Sequence, residues 1–402
     1  MNILLSHCHY RSSAPSGEDA VYRNERALLE QHGHTVTLLE RFNDDIDDST
    51  LMSKISIARE TAWSQSSYDA VAKLIRKSKP DVAHFHNTFP QLSPSVYSAC
   101  QDNGVPVVQS LHNYRLVCAN GLLLRNGKPC EDCLTGGVIN ALKHRCYRHS
   151  LPATSALVWM QVSNRNRGTY AEKVNRYIVP ARFPIPRLVK GGLPEYRLAV
   201  KPNFLPEPPA YSGERENYAI FVGRLTAEKG VHTLIEAWKK IPDITLKILG
   251  DGEMRPVLEQ IVREHGLNVE FFGYLGRTEV LQMVARAAFQ ILPSECYEGF
   301  PMALLEAYAS GTPVLVSRLG SLDELVVEGN TGHKFEAGNP DALAQMALQM
   351  MADKAQLSCL GGRAREEFEQ HYTADRNYEQ LMNIYREAIN DFALGSMKEK
   401  RA

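Results

Sequence analysis

The sequence lacks any long hydrophobic run. No apolar stretch approaches the ~20 residues that a membrane-spanning helix needs. The N-terminal run, Met-Asn-Ile-Leu-Leu, is also too short for a secretory signal peptide. We therefore expect a cytoplasmic protein, and peripheral contact with a membrane surface remains open.

An excess of charge of one sign is also lacking. The 402 residues contain 45 Lys and Arg and 46 Asp and Glu, for a formal net charge of -1, so nothing in the composition indicates a nucleic-acid partner. Tandem repeats and low-complexity tracts are absent. The composition, 44% hydrophobic and 23% charged, is typical of globular domains, and the length predicts two or three of them.

Short apolar runs alternate with helical segments through both halves of the chain. In the first half, the predicted strands are residues 2–6, 35–39, 82–85, 105–111, 177–179 and 197–201. In the second half, they are residues 218–222, 245–249, 269–272, 289–292 and 313–317. Such alternation is typical of α/β domains with a parallel, doubly wound sheet.

A proline-rich segment separates the two halves. Residues 202–209 contain four prolines and predict a stiff, extended connector. We place an N-terminal domain at 1–202, with a cysteine-bearing insertion at 113–150, and a second domain at 203–374. Residues 375–402 are predicted to form a C-terminal helix that packs back on the first domain.

Two carboxylates flank a predicted strand–loop–helix junction. Glu298 follows the run 289–292, Pro301 suits the first position of a helix, and Glu306 lies within that helix. The backbone amides around Gly299 and Phe300 would form a helix N-terminus, which favours anions and hydroxyl oxygens. A single Glu in such a place is more often solvated, but the apolar neighbours favour a ligand site.

A second loop in the same half carries two cations. Gly223 directly follows the predicted strand 218–222, and Arg224 and Lys229 come after it and before a helix. A guanidinium can bind a phosphate through two parallel hydrogen bonds, whereas Lys acts as a compact charge. Solvated loop cations are the alternative for either residue alone.

These motifs together resemble the donor site of the retaining family-four (group 1) glycosyltransferases of GT-B fold, including those of bacterial surface-polysaccharide synthesis. The Glu-Gly-Phe-Pro…Glu pattern carries the resemblance, and Gly223-Arg-Leu, Gly250-Asp-Gly and Gly311-Thr-Pro fall in family order. The resemblance implies two Rossmann-like domains facing an interdomain cleft. It implies that the first binds an acceptor and the second a UDP- or GDP-sugar.

The resemblance also implies roles for individual residues. Arg224 and Lys229 would neutralise the leaving diphosphate, so no catalytic metal is expected. Glu298 would contact the transferred sugar and Glu306 the ribose hydroxyls. The further donor-binding residues are Gly17, Gly223, Gly299, Phe300 and Pro301, and Gly17 stands where the family usually has two adjacent glycines.

Two histidines follow predicted strands of the first half. The resemblance places His112 beside the donor sugar, as a residue that helps to hold it. His86 lies at the end of the run 82–85 and is a candidate for the acceptor side. A packing role for His86 is an equal alternative.

Four of the eight cysteines lie close together in the insertion: Cys118, Cys130, Cys133 and Cys146. Four thiolates can bind a structural zinc ion, which would brace a loop that has little core. Unligated thiols and a redox pair are the alternatives. Basic and aromatic residues from Lys143 to His149 form either a solvated face or a patch for an anionic acceptor or membrane surface.

The sequence therefore predicts a retaining glycosyltransferase that moves a sugar from a nucleotide-sugar donor to a glycan or lipid-linked acceptor in polysaccharide biosynthesis. Two alternatives remain. One is a sugar-nucleotide epimerase of the same fold, and the other is a non-catalytic sugar-nucleotide-binding subunit.

Overall fold

The computed structural model describes residues 1–12, 16–47, 49–210, 213 and 215–399. The chain divides into two compact units. The first unit comprises Met1–Leu123, Glu131–Pro202 and Asp375–Ala402, and the second comprises Leu124–Cys130 and Asn203–Ala374. The division after Pro202 falls within the proline-rich segment.

Each unit is built on a six-stranded parallel sheet. The strands are β1 (Asn2–His9), β2 (Thr35–Phe42), β3 (Val82–Phe85), β4 (Val107–Ser110), β5 (Leu124–Arg125), β6 (Lys128–Pro129), β7 (Arg176–Val179), β8 (Leu198–Val200), β9 (Tyr218–Val222), β10 (Thr245–Leu249), β11 (Val269–Gly273), β12 (Phe289–Leu292), β13 (Val314–Ser317) and β14 (Gly332–Phe335). The first sheet has the order β2-β1-β3-β4-β7-β8, and the second has the order β11-β10-β9-β12-β13-β14. β5 and β6 form an antiparallel hairpin, with Asn126 and Gly127 at positive φ, as a two-residue hairpin turn favours.

Helices connect the parallel strands, as right-handed crossovers require. They are α1 (Gly17–Gln31), α2 (Leu51–Ala62), α3 (Gln65–Ser78), α4 (Ser95–Asp102), α5 (Asp132–Gly136), α6 (Ile139–His144), α7 (Leu151–Asn166), α8 (Thr169–Glu172), α9 (Ile185–Lys190), α10 (Val231–Trp238), α11 (Arg255–His265), α12 (Arg277–Arg286), α13 (Met302–Ala309), α14 (Gly320–Leu325), α15 (Pro340–Ala352), α16 (Lys354–His371) and α17 (Ala374–Glu399). Three short 3-10 turns lie at Asn43–Asp45, Glu195–Arg197 and Ala227–Lys229. Among the described residues, none of the helices combines the length and apolar character that crossing a bilayer would require.

The last helix, α17, contributes to the core of the first unit. Leu381, Tyr385 and Ala388 are buried in one apolar cluster with Ile3 and Leu5 of β1. Their burial against a central strand removes them from water, which is the dominant favourable contribution to such packing.

One local prediction is wrong, and two features of the fold were not predicted. Residues 51–78 contain two helices, because Trp63 is extended and Ser64 caps α3 by accepting a hydrogen bond from the Ser67 amide. Pro301 is the residue before α13, with extended ψ, and does not occupy its first turn. The edge strand β14 was not predicted, because its four residues carry no clear apolar alternation.

Gly230 makes a close approach that no side chain would permit. It has φ of +68°, and a Cβ placed there would lie 1.9 Å from the Pro293 carbonyl oxygen. The loop after β9 therefore packs directly against the end of β12, which brings their polar residues together.

We predict that Gly230→Ala destabilises the protein by about 3 kcal/mol or more, because a strained backbone is combined with steric overlap. Gly266→Ala is the matched control, since Gly266 also has positive φ but has open space around it. The control should cost about 1 kcal/mol. Urea denaturation of both variants checks the prediction, and equal losses would contradict the proposed close contact.

Candidate functional site

Two loops meet at the carboxyl ends of β9 and β12, where ligands bind in open parallel sheets. Besides the contact at Gly230, the Glu295 amide donates a hydrogen bond to the Glu228 carbonyl oxygen at 2.9 Å. The Thr233 hydroxyl donates to the Glu295 carboxylate at 2.5 Å. The backbone of the two loops is thus fixed before any charged side chain is considered.

Lys229 and Glu298, predicted from separate motifs, form a direct ion pair. The Lys229 Nζ lies 2.6 Å from Glu298 Oε1, and the Ser294 hydroxyl donates to the same oxygen at 2.7 Å. Burial disfavours the charged form of both groups, but the opposite charge of the partner compensates for this cost. As a result, the pKa of Lys229 is raised and the pKa of Glu298 is lowered, so both remain ionised at neutral pH.

Arg224 lies beside this pair in a more exposed position. Its guanidinium is 3.5 Å from the Glu228 carboxylate, and its side chain is 47% exposed. An exposed pair of this kind contributes little to stability. The guanidinium is therefore available to exchange its partner for an anion from solution.

Glu306 lies in the second turn of α13 and is half-buried. Burial raises the pKa of its carboxyl to about 7, opposed only by the charge of Arg277. A half-buried carboxyl with no ion pair among the described residues is uncommon in a purely structural position. It marks Glu306 as a group able to accept hydrogen bonds from a ligand.

The remaining predicted donor-binding residues of the second unit lie in the same loops. The Gly223 amide donates to the Leu249 carbonyl oxygen at 3.0 Å, which aligns the end of β9. Phe300 is buried, and its carbonyl oxygen accepts a hydrogen bond from the Asn203 side chain at 3.1 Å. Gly299 and Pro301 flank it immediately before α13.

In the first unit, His86 and His112 contact each other. His86 Nδ1 lies 3.0 Å from His112 Nε2, and their rings stack with centroids 5.2 Å apart. Burial, together with the nearby His86, keeps the pKa of His112 well below its usual value. Gly17 is the exposed first residue of α1, beside its capping residue Ser16.

A pocket in the first unit lies beside these histidines. It is lined by Glu18, His86, Asn87, Thr88, Phe89, Pro94, Gln109, Ser110, Leu111, His112, Asn113, Arg115, Leu116, Met160 and Tyr170. Glu18 accepts hydrogen bonds from Asn113 at 3.0 Å and from Tyr10 at 3.1 Å, and burial raises its pKa. The buried Tyr170 hydroxyl has no hydrogen-bond partner among the described residues, so it is available to a polar ligand.

Sequence reasoning missed a group of buried polar residues around His86. Glu25 is 1% exposed and lies among Val21, Leu28 and Leu29 on the apolar face of α1. A carboxylate at such a position is a signal that the sequence does contain, because buried Glu residues need a partner.

The predicted zinc site stays a prediction. Among the described residues, the groups of three metal-binding side chains with ligand atoms within 4.8 Å of one another are His7, His9 and Asp19, and Glu25, His84 and His86. Neither group contains a cysteine. Cys118 is buried, whereas Cys130, Cys133 and Cys146 are half-buried.

Comparison with known proteins finds a family match within the second unit. Residues 208–367 match the model of the family described as Glycosyl transferases group 1. Over 172 residues the chain is 31% identical to an uncharacterized glycosyltransferase of Methanocaldococcus jannaschii, a match that covers 42% of this chain and 48% of that protein.

Solved structures extend the likeness to the whole chain at the level of the fold. Sucrose-phosphate synthase from Thermosynechococcus elongatus superimposes with a TM-score of 0.71 at 18% identity, covering 97% of this chain and 99% of that one. Anabaena HepE in complex with UDP gives a TM-score of 0.65 at 17% identity, covering 95% and 99%. The prediction of a GT-B fold with two doubly wound, Rossmann-like domains is confirmed.

The match in sequence is narrower than the match in fold. The chain spans less than half the length of the curated relatives it matches. The region that matches the family model contains Arg224, Lys229, Glu298 and Glu306. The histidines of the first unit lie outside it.

We predict that Glu306 makes stability depend on pH. Because its pKa is raised to about 7 in the folded protein, the folded state favours the neutral carboxyl, and stability falls as pH rises from about 5 to 8. Glu306→Gln should therefore gain stability over wild type across this range, by about 1–2 kcal/mol after allowance for partial exposure.

Urea denaturation at pH 5 and pH 8 measures this difference. Glu264→Gln, at an exposed position on α11, serves as the control and should show no such trend. An equal difference between Glu306→Gln and wild type at both pH values would show that burial of Glu306 does not perturb its ionisation.

Proposed function

We propose that the protein is a retaining glycosyltransferase. It would transfer a sugar from a nucleotide-sugar donor to a hydroxyl of a glycan or lipid-linked acceptor in polysaccharide biosynthesis. The observation that carries this proposal is the Lys229–Glu298 pair, held by two loops at the carboxyl ends of β9 and β12 within the group 1 glycosyl transferase region.

The proposed donor is a UDP- or GDP-sugar. The structure of Anabaena HepE in complex with UDP, which shares the fold, supports a nucleotide-sugar donor. Glu306 would accept hydrogen bonds from the two ribose hydroxyls, and Gly17, Gly223 and Gly299 would lie near the donor. An ionised carboxylate is an acceptor only, and it therefore suits a diol.

The proposed chemistry is a single displacement on one face of the sugar. The bond from the anomeric carbon to the phosphate oxygen breaks, and a bond to the acceptor oxygen forms on the same face. The acceptor proton passes to the leaving phosphate oxygen. Arg224 and Lys229 would stabilise the negative charge on the diphosphate, which is the main task of preorganised cations in such transfers.

Glu298 has a different proposed role from that of a glycosidase carboxylate. It is paired with Lys229 and accepts from Ser294, so it is not poised as a nucleophile or a general base. It would orient the transferred sugar through its hydroxyls. When the diphosphate binds, Lys229 would reorient toward phosphate oxygen, which leaves Glu298 Oε1 an acceptor for the sugar.

The proposed acceptor binds the first unit. The pocket beside His112 offers Glu18, Arg115 and the unpartnered Tyr170 hydroxyl, which are groups that suit a polyhydroxy ligand. Contact with a membrane is part of the proposal, because Ile139, Leu151 and Trp159 are exposed. The exposed basic residues Lys143, Arg145 and Arg148 lie near them in the chain and complement an anionic surface.

A transfer assay tests the proposal. UDP- and GDP-sugars are supplied with free glycans and with lipid-linked saccharides in anionic vesicles, and the anomeric configuration of the product is read by NMR. We expect transfer with retention from one nucleotide class. Lys229→Ala and Glu298→Gln should reduce turnover by about 10²-fold or more, because charge stabilisation is lost.

Lys239→Ala and Glu236→Gln are matched controls. These residues form an ion pair of 2.8 Å on α10 and its C-terminal end and should leave turnover near that of wild type. Normal rates in folded Lys229→Ala and Glu298→Gln would refute the site. Donor conversion without any acceptor would indicate an epimerase, and donor binding without turnover would indicate a binding subunit.

A further inference from the structure

A continuous chain of polar side chains runs behind His112. The Lys201 ammonium contacts Glu25 Oε1, and Glu25 Oε2 lies 2.9 Å from His86 Nε2. His86 Nδ1 in turn lies 3.0 Å from His112 Nε2. The chain thus links a residue just after β8, through α1 and the end of β3, to the histidine that borders the first-unit pocket.

The inner members of this chain have few other partners. Glu25 and His86 are each 1% exposed, and Lys201 is 3% exposed. Glu25 Oε2 and His86 Nε2 lie 2.9 Å apart. Neither atom has a hydrogen-bond partner elsewhere among the described residues, so the only polar contact open to each is with the other. Buried polar atoms of this kind are costly to leave unsatisfied.

Charge fixes the position of the first proton. Burial alone would raise the pKa of the Glu25 carboxyl, but the charge of the Lys201 ammonium holds it well below its usual value. Glu25 is therefore a carboxylate, which can only accept a hydrogen bond. The proton between Glu25 and His86 must accordingly reside on His86 Nε2.

The position of the proton between His86 and His112 follows from this assignment. A neutral imidazole with its proton on Nε2 has an acceptor at Nδ1. His86 Nδ1 therefore accepts from His112, and His112 carries its own proton on Nε2. An imidazolium at His86 would instead place a second buried cation beside Lys201 with one carboxylate between them, which is unfavourable.

The neighbouring charged and titratable groups do not disturb this assignment. His84 contacts the Tyr385 hydroxyl at 2.8 Å and the Ser110 hydroxyl at 2.9 Å, so both of its nitrogens are engaged. His7, whose pKa burial lowers to about 4, donates to Asp19 at 2.7 Å. A metal ion at Glu25, His84 and His86 would lie beside the Lys201 ammonium, which already balances the carboxylate, and its charge would be repelled there.

We propose that Lys201, Glu25 and His86 are positioning residues that hold His112 with its proton on Nε2, so that His112 Nδ1 accepts a hydrogen bond from a ligand hydroxyl. His112 Nδ1 makes no hydrogen bond to another residue in the part of the chain that the structure describes. The identity of the ligand as a sugar rests on the proposed function. An acceptor nitrogen favours a hydroxyl and disfavours a phosphate oxygen, which would meet it lone pair to lone pair.

NMR of the full-length protein with ¹⁵N-labelled histidine tests the proton positions without any substrate. The His112→Gln spectrum identifies the His112 signals. We expect the shared proton to be bonded to His112 Nε2, with a scalar coupling across the hydrogen bond to His86 Nδ1. A proton bonded to His86 Nδ1, or no coupling between the two rings, would overturn the proposal.

Variants at Glu25 and Lys201 test whether these residues position His112. Glu25→Gln leaves Lys201 without a buried counterion, so the double variant Glu25→Leu, Lys201→Met is used beside it to preserve the fold. In either folded variant, a fraction of the molecules should carry the shared proton on His86 Nδ1 and not on His112 Nε2. Asp19→Asn changes the contacts of Asp19 with His7, His9, Tyr10 and Ser16 but with none of Lys201, Glu25, His86 and His112, so the His112 signals should keep their wild-type pattern.

The transfer assay separates this inference from the proposed function. If Lys201, Glu25 and His86 position His112, the double variant should lose at least tenfold in kcat with little change in the KM for the donor nucleotide. A wild-type proton pattern in a folded double variant would overturn the inference even if transfer is observed. Confirmed proton positions in a protein without transferase activity would refute the proposed function alone.

Discussion

The close contact between Gly230 and the Pro293 carbonyl is the constraint on which the second-unit site depends. It requires a glycine, because any Cβ would lie 1.9 Å from the carbonyl oxygen. The contact fixes the loop after β9 against the loop after β12, which contributes Glu298. Lys229 then meets Glu298 at 2.6 Å, and two groups that burial alone would neutralise remain ionised.

In the first unit, the buried charges belong to a polar network that also holds a helix in place. Its polar network includes one ion pair, Lys201 with Glu25, and several neutral histidines. Buried ion pairs of this kind contribute little net stability, but removing one partner is costly. The network also anchors α17, because Asn377 accepts from Lys201 at 3.0 Å and Tyr385 contacts His84. The same residues therefore hold the C-terminal helix and define the environment of His112.

Much of this arrangement could be predicted from the sequence, for identifiable reasons. Buried parallel strands such as β12 are apolar runs bounded by turn residues, so their positions and the loops that follow them are visible. The order of the motifs at Arg224 and Glu298 predicted the two loops that we propose to bind the donor. The direct contact between Lys229 and Glu298 was not predicted, because it depends on which strands are neighbours in the sheet.

The polar network of the first unit escaped prediction for a related reason. Glu25 and Lys201 are separated by 176 residues, and only the fold brings them together. The strand β14 escaped because an edge strand of four residues has little periodicity to detect. Glu306 was predicted as a ligand group, but its raised pKa depends on burial that only the packed structure defines.

The ionisation of Glu306 offers the most direct test of the account. Binding of UDP-glucose and GDP-mannose is measured by calorimetry at pH 6 and pH 8, with wild type and with Glu306→Gln. Because the carboxyl must lose its proton to accept the ribose hydroxyls, the nucleotide sugar that binds should bind about tenfold more weakly at pH 6 than at pH 8. The variant should bind weakly at both pH values. Equal wild-type affinity at the two pH values, or a variant that binds as tightly as wild type, would contradict a donor site built on Glu306.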